Sequence, residues 1–223
     1  TTLSGAEWAH LIGVTDEEAG RKSGFADEEA VPPVVILDPE ATVYTPEKLW
    51  LSTGIRALDH AIEGFLSPSE HPIEDVLGLE GARRLMESLP HSKEVPDDLD
   101  LRLKLQLAAW MAYFGPLNTP MGLSHELGRR IGASYDVPHA YTSCMILSPT
   151  LAVVGDRVRG ERWTMLADAL GGEPAERVAT LVEELELSNR LRDSGVPEED
   201  LDAIAEEFED RADDAREILR RAW

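Results

Sequence analysis

Apolar residues recur three or four positions apart over most of the chain beyond residue 45, which is the period of an amphipathic helix. One such segment follows residues 45–47, where a threonine hydroxyl precedes a proline suited to the first helical turn. Gly54 interrupts this segment and is a candidate break between two helices. The apolar positions of the segment are Leu51, Ile55, Leu58, Ile62 and Phe65.

The same reasoning predicts a series of further helices. One covers residues 69–89 and ends at Pro90. In residues 99–107 leucine alternates with polar residues, which on period alone indicates a strand. The segment contains good helix formers and no β-branched residue, so we predict a helix there. The other predicted helices cover residues 122–133, 139–154, 159–170, 174–191, 197–207 and 211–222.

The first 45 residues have a different pattern. Residues 34–37 (Val-Val-Ile-Leu) form a short apolar run bounded by proline-containing pairs, which predicts a buried strand. The acidic, glycine-containing stretch 15–29 predicts a hairpin or a surface loop. We therefore expect a mainly α protein, with a strand-containing lead (residues 1–45) on an all-helical body (residues 46–223).

Charge restricts the partners of the chain. Its 223 residues contain 43 acidic and 21 basic side chains, for a net charge of −22. This excess argues against a nucleic-acid or anionic-membrane partner and predicts a solvated acidic surface. An anionic substrate would need a local cluster of positive charge.

Two further observations bear on the compartment. No run of about 18 apolar residues predicts a membrane-spanning helix, and no basic start followed by an apolar stretch indicates a signal peptide. Cys144 is the sole cysteine, which excludes an internal disulfide. We expect a cytoplasmic protein.

Residues 122–147 contain two of the six histidines, His125 and His139. Gly128 and Gly132 are four positions apart and would leave a flat strip on the helix that follows His125. A proline immediately before His139 is typical of a helix start. Both imidazoles could then face one pocket.

A second informative stretch covers residues 52–63. Arg56 and His60 are four positions apart and share a helical face, whereas Asp59 and Glu63 share a neighbouring one. His60 could therefore meet the other two histidines, and three imidazoles with a carboxylate would suit a divalent transition metal. Spacing alone favours an ordinary core or surface residue for each histidine taken singly.

Three motifs resemble the iron-containing (group III) alcohol dehydrogenase family. They are Gly-Ile-Arg-Ala-Leu-Asp-His-Ala-Ile-Glu (54–63), Gly-Leu-Ser-His-Glu-Leu-Gly (122–128) and Tyr-Asp-Val-Pro-His-Ala (135–140). Their order and the 14-position step from His125 to His139 are similar to that family. The resemblance implies an all-helical, dehydroquinate synthase-like C-terminal domain that supplies metal ligands. A short strand-containing remnant of a Rossmann-like coenzyme domain would precede it.

The resemblance also implies NAD or NADP as the coenzyme. Thr1 and Thr2, with Gly5, are similar to the family's threonine-rich loop beside the coenzyme. The family's Gly-Gly-Gly-Ser phosphate loop is absent, and no Gly-x-Gly-x-x-Gly occurs in the chain. We therefore interpret the sequence as a fragment and expect it alone to be inactive and to bind NAD(P) weakly or not at all.

One departure from the family pattern changes the expected chemistry. Arg56 stands where the family has an aspartate ligand, and a guanidinium repels a cation. This substitution resembles the maleylacetate reductase branch, which implies a small anionic substrate and makes a metal doubtful. Arg56 would then clamp a substrate carboxylate, with His60 lining the same pocket. His125 or His139 would donate a proton or stabilise the developing oxyanion.

Alternatives remain open from the sequence. Iron or zinc could be held by His60, His125 and His139, with Asp59 as fourth ligand, in a metal-dependent alcohol dehydrogenase. Because Asp59 lies about 100° around the helix from His60, that arrangement needs a kink at Gly54 or a shifted register. A different class is a non-catalytic helical remnant that acts as a binding module. An exposed apolar face around Leu3 and residues 34–37 could promote a homodimer.

Overall fold

The structure is a computed structural model that describes residues 2–5, 7, 9–16, 21–69, 71–155, 157–158, 160–187 and 189–223. Two antiparallel strands near the start, β1 (Leu11–Asp16) and β2 (Arg21–Ala26), form a hairpin. Leu11 pairs with Ala26, and Asp16 pairs with Arg21. The hairpin expected within residues 15–29 is therefore confirmed, although its first strand begins earlier.

The prediction of a buried strand at residues 34–37 is wrong. This segment has no strand structure, and the side chains of Val34 and Ile36 are 73% and 82% exposed. Apolar β-branched residues form a strand only where a neighbouring strand accepts their backbone hydrogen bonds, and none does so in the described residues. Leu3 is fully buried, so it cannot belong to the exposed apolar face suggested for a dimer.

Beyond the hairpin most of the described chain is helical, and turns, irregular segments and single turns of 3₁₀ helix connect the helices. They are α1 (Pro39–Thr42), α2 (Glu47–Leu66), α3 (Pro72–Glu94), α4 (Leu99–Ala112), α5 (Phe114–Asn118), α6 (Leu123–Tyr135), α7 (His139–Gly155), α8 (Glu161–Leu170), α9 (Pro174–Glu184), α10 (Leu201–Glu206) and α11 (Ala212–Ala222). The mainly α class is confirmed, and so is the helix expected at residues 99–107.

The central helix of the body is α2. Every residue from Trp50 to Phe65 is buried, and the helix packs against α3, α4 and α7. It runs through Gly54 without interruption, so the break considered there does not occur. Gly54 faces Leu89 of α3 so closely that a Cβ would overlap that side chain. The glycine permits close helix packing instead of ending a helix.

Other helix ends differ from the predictions. α3 continues through Pro90 to Glu94, and its final turn is held by Ser92, whose hydroxyl donates to the Leu89 carbonyl over 2.9 Å. The helix predicted for residues 174–191 stops at Glu184, because Glu186 adopts a left-handed backbone with φ of 56°. The predicted helix 197–207 is divided into a 3₁₀ turn and the short α10.

Two apolar clusters organise the body, and α7 contributes to both. The first is centred on α2, α3 and α4, and the second gathers α6, α7, α10 and α11. Polar residues of the three motifs lie where α2, α6 and α7 meet. The boundary proposed at residue 45 stays a prediction. Among the described residues, no helix is both long enough and apolar enough to cross a membrane.

Candidate functional site

A stripe of buried polar side chains lies along α2, within an otherwise apolar helix. Two pairs with a four-residue spacing, on neighbouring faces of the helix, make up this stripe. All four are buried against α6 and α7 or the residues that precede α6. They are Arg56, Asp59, His60 and Glu63.

The guanidinium of Arg56 joins the two histidines of the other motifs. Its Nη2 lies 2.5 Å from His125 Nδ1 on α6 and 2.6 Å from His139 Nε2 on α7. A guanidinium can only donate hydrogen bonds, so these ring nitrogens act as acceptors. The structure thus brings Arg56, His125 and His139 into direct contact, which agrees with the prediction that they face one pocket.

The other side of the same guanidinium is held by a buried carboxylate and a hydroxyl. Arg56 Nη1 donates to Asp59 Oδ2 over 3.1 Å and to Ser143 Oγ over 2.9 Å. Ser143 in turn donates to Asp59 Oδ2 over 2.6 Å. Only 3% of Arg56 is exposed, so the cation and its counter-ion form a pair that is shielded from solvent.

His60 completes the cluster without touching the guanidinium in a hydrogen bond. Its ring centroid lies 5.7 Å from that of His125 and 5.2 Å from that of Tyr113. The Nδ1 atom of His60 is buried and has no hydrogen-bond partner in the described part of the chain. The three predicted histidines therefore do converge, whereas their chemical roles stay predictions.

The surroundings keep the imidazoles uncharged. Burial, followed by the nearby Arg56 cation, lowers the pKa of His125 to about 2. The same two causes hold the pKa of His60 well below its ordinary value. Both rings are therefore neutral at pH 7, and each can present an N–H group as a hydrogen-bond donor.

Arg56 decides how well the site fits a metal ion. Because its Nη2 is within 2.6 Å of a nitrogen of both His125 and His139, the guanidinium fills the space between the imidazoles. A fixed cation there repels a metal ion. Within the described residues, no group of three His, Cys, Asp or Glu side chains is arranged to hold a metal. The doubt about a metal at this site stays a prediction.

The alternative fourth ligand, Asp59, is engaged elsewhere. Its Oδ2 contacts Arg56 and Ser143, and α2 is continuous through Gly54. Sequence reasoning missed Ser143, which follows His139 by four positions on α7 and therefore shares its face. This four-residue spacing was the one feature of the sequence that could have indicated Ser143.

Glu63 was noted in the sequence without a role, and the structure gives it one. Its carboxyl group accepts hydrogen bonds from the backbone N–H groups of Gly122, Ser124 and His125, over 3.1, 2.7 and 3.1 Å. These N–H groups open α6, where a helix leaves its donors unsatisfied. Glu63 thus fixes the start of α6, and with it the backbone of His125, to α2.

Of the two predicted coenzyme residues, Thr2 lies in the described part of the chain. Thr1 is outside the described residues. Thr2 is half-buried, and the neighbouring Leu3 donates its backbone N–H to Thr53 Oγ1 of α2 over 3.1 Å. Gly5, with φ of 68°, packs closely on Tyr113, the residue that touches His60. The threonine segment therefore runs beside the histidines, and its contact with a coenzyme stays a prediction.

A cavity of about 880 Å³ adjoins the cluster along α6 and the turn before α7. It is open to solvent and contains both acidic and basic side chains. Its lining includes Glu126, Arg129, Arg130, Asp136 and His139.

Comparison with known proteins connects this geometry to a family. Residues 50–215 match the family described as "Fe-containing alcohol dehydrogenase family, C-terminal". Maleylacetate reductase from Pseudomonas sp. (strain P51) is 32% identical over 208 residues, which cover 92% of this chain and 58% of that protein. The maleylacetate reductase of Pseudomonas aeruginosa is 30% identical over all of this chain and 63% of its own length. The chain thus spans about six-tenths of these relatives.

Solved structures lead to the same family. The crystal structure of maleylacetate reductase from Rhizobium sp. strain MTP-10005 superposes with a TM-score of 0.91 at 30% identity, over 100% of this chain and 65% of that one. An iron-containing alcohol dehydrogenase from Corynebacterium glutamicum gives a TM-score of 0.89 at 26% identity, with 100% and 65% covered. This chain belongs to the iron-containing alcohol dehydrogenase family of oxidoreductases and corresponds to its C-terminal helical domain.

Proposed function

We propose that this chain forms the substrate-binding part of an NAD(P)H-dependent reductase that acts on a small anionic carbonyl or alkene compound, as the name maleylacetate reductase implies for its relatives. The observation that carries the proposal is the buried Arg56 guanidinium between His125 and His139. A metal-dependent dehydrogenase would need those imidazoles for its ion. Here they are occupied by a cation that belongs to the chain.

The described residues can supply the proton that a reduction needs in addition to the hydride. The nicotinamide coenzyme, when bound, supplies a hydride to the reacting carbon. A neutral His125 can donate its N–H to the oxygen or carbon that becomes electron-rich, and solvent then restores that proton. A neutral imidazole beside a fixed positive charge is a stronger donor than a free one, because the cation stabilises the electron-rich ring.

Arg56 has a more indirect role in this proposal than the carboxylate clamp expected from the sequence. Its two Nη atoms already donate to Asp59, Ser143 and the two histidines. Its Nε is buried and has no partner among the described residues. We propose that Arg56 acts on the substrate through the histidines, by orienting both of them and by helping to keep His125 neutral.

The test uses the complete gene product that contains these residues. We expect it to oxidise NADH or NADPH in the presence of maleylacetate and to retain this activity after treatment with a strong chelator. In Arg56→Asp, which restores the family aspartate, maleylacetate reduction should fall about 100-fold or more, since a fixed donor and charge are removed. The variant should also bind about one Zn²⁺ per chain, as measured by metal analysis.

The matched control is His91→Ala, because His91 is an exposed histidine of α3. It should leave both reduction rate and metal content unchanged. Loss of the native activity on chelation, restored by Fe²⁺ or Zn²⁺, would favour the metal-dependent dehydrogenase and refute the proposal. Failure to oxidise either coenzyme would favour the non-catalytic binding module.

A further inference from the structure

Two arginines at the site are already neutralised by carboxylates. Arg56 is paired with Asp59 inside the protein. Arg130 directs its Nε and Nη2 to the two carboxylate oxygens of Glu207, each over 2.6 Å. Neither guanidinium is free to bind an anionic ligand, because each already has a buried or bidentate partner.

Arg129 differs from both. Its side chain is exposed, and no hydrogen bond or ion pair engages it within the described part of the chain. It follows His125 by four positions on α6, so it lies on the same face about 6 Å farther along the axis. Burial and Arg56 are the main causes of the low pKa of His125, and the charge of Arg129 contributes in the same direction. Arg129 therefore belongs to the electrostatic surroundings of the site.

The cavity beside α6 connects Arg129 to His139, since both line it. Two acidic residues also line this space. Glu126 is paired with Arg211 over 2.6 Å. Asp136 lies seven residues from Arg129, about 10 Å along the helix axis, and forms no ion pair with it. The guanidinium of Arg129 is therefore open to a ligand in the cavity.

We propose that Arg129 binds a carboxylate of the substrate in this cavity and so sets the preference for carboxylate-bearing compounds. This inference rests on the proposed reductase function. The planar fork of a guanidinium matches a carboxylate with two parallel hydrogen bonds. A chain of net charge −22 repels anions at long range, so one unneutralised cation beside the reacting groups has a large effect on which anions bind.

Binding of succinate tests the inference without requiring turnover. Succinate carries two carboxylates and no reducible carbonyl or alkene, and succinamide is its uncharged analogue. Isothermal titration of the complete gene product should detect succinate and give little or no heat with succinamide. In Arg129→Ala the Kd for succinate should rise about 10-fold or more, and Arg129→Lys should retain part of the affinity.

The control is Arg83→Ala, which removes the same charge from a side chain of α3 that pairs with Glu80 and Glu87 and does not line this cavity. Its Kd should stay within about twofold of the native value. In steady-state assays with maleylacetate, Arg129→Ala should raise KM about 10-fold while kcat changes less than about threefold.

The outcomes separate the two proposals. If Arg129→Ala binds succinate as well as the native protein, or if the native protein does not bind succinate, the Arg129 inference is refuted even if reductase activity is present. If succinate binding depends on Arg129 but no coenzyme is oxidised, the carboxylate site stands and the reductase function is refuted.

Discussion

Glu74 of α3 is a buried acid that takes no part in the histidine cluster. It is fully buried, and neither carboxyl oxygen has a hydrogen-bond partner in the described residues. Three glycines surround it, because a Cβ at Gly64, Gly78 or Gly115 would collide with its carboxyl group. Burial, with a smaller effect of Asp75, raises the pKa of Glu74 to about 8. The side chain is therefore mostly protonated at pH 7.

This raised pKa makes the free energy of unfolding depend on pH. The unfolded carboxyl group ionises above about pH 4.3, whereas the folded one keeps its proton up to about pH 8. The contribution of Glu74 to the free energy of unfolding is fully present below the pKa that the group has in the unfolded chain. It is lost as pH rises through the pKa that the group has in the folded protein. Between about pH 5 and pH 8 we expect a loss on the order of 3–4 kcal/mol that Glu74→Gln does not show, because each unit between the two pKa values is worth about 1.4 kcal/mol.

Urea unfolding at several pH values measures this difference. The control is Glu176→Gln, which changes an exposed glutamate of α9 in the same way. Its pH profile should run parallel to that of the native protein, while the Glu74→Gln profile should be flatter. Parallel profiles for all three proteins would mean that Glu74 is ionised in the folded state.

At the level of single residues, the sequence predicted which side chains belong to the site better than which of them form hydrogen bonds. The four-residue spacing placed Arg56 and His60 on one face, and the histidine motifs indicated a shared pocket. The hydrogen bonds of Ser143 with Arg56 and Asp59 join residues more than 80 positions apart. No local pattern reports such a contact, because it depends on how α2 and α7 pack.

Among the elements, α6 depends on a side chain outside itself. Its first N–H groups are bound by Glu63 of α2, since Gly122 at the start of α6 has no side chain to cap them. Replacing Glu63 with Ala leaves three backbone donors in a buried setting without their acceptor. We expect the free energy of unfolding to fall by about 2–3 kcal/mol, as measured by urea or thermal unfolding.

A matched control for this prediction is Glu47→Ala. Glu47 is an exposed acid in the first turn of α2 and forms no side-chain hydrogen bond to that helix end. Replacing Glu47 with Ala should lower the free energy of unfolding by no more than about 0.5 kcal/mol. Equal effects of the two substitutions would show that Glu63 acts only through its charge near a helix end.

The period of apolar residues predicted which elements exist better than where they end. Most of the long helices were expected, since a buried face imposes its spacing on the sequence. Pro90 did not end α3, because a proline near the end of a helix removes a single backbone hydrogen bond, and the helix closes after it with the Val95 N–H donating to the His91 carbonyl over 3.0 Å. Residues 34–37 had a strand composition but no adjacent strand, and composition alone does not provide one.

For the whole molecule, excess negative charge is the dominant electrostatic feature. Many surface arginines have carboxylate partners, such as Arg216 with Asp202, Glu206 and Asp213. The 43 acidic side chains nevertheless outnumber the 21 basic ones, and exposed ion pairs contribute little to stability, so we expect repulsion among the acidic side chains to outweigh them.

Salt should therefore stabilise the folded chain. Raising NaCl from about 0.01 M to about 0.15 M shortens the screening length from about 30 Å to about 8 Å. We expect Tm, followed by circular dichroism, to rise by several degrees over this range. The control is the same increase in NaCl at about pH 4.5, where the net charge is small, and it should give a much smaller rise in Tm. A Tm that falls with salt at neutral pH would mean that the surface ion pairs dominate.

Fold class and family could be inferred before any coordinates because the motifs lie on the elements that build the core. Four of the polar residues discussed above, from Arg56 to Glu63, lie within the fully buried length of α2. The residues of this one helix therefore determine both how the core packs and which polar groups lie at the site. Selection for a new substrate has little freedom on α2, since a change there alters folding and reactivity together. New specificity should arise instead at exposed positions of α6 such as Arg129.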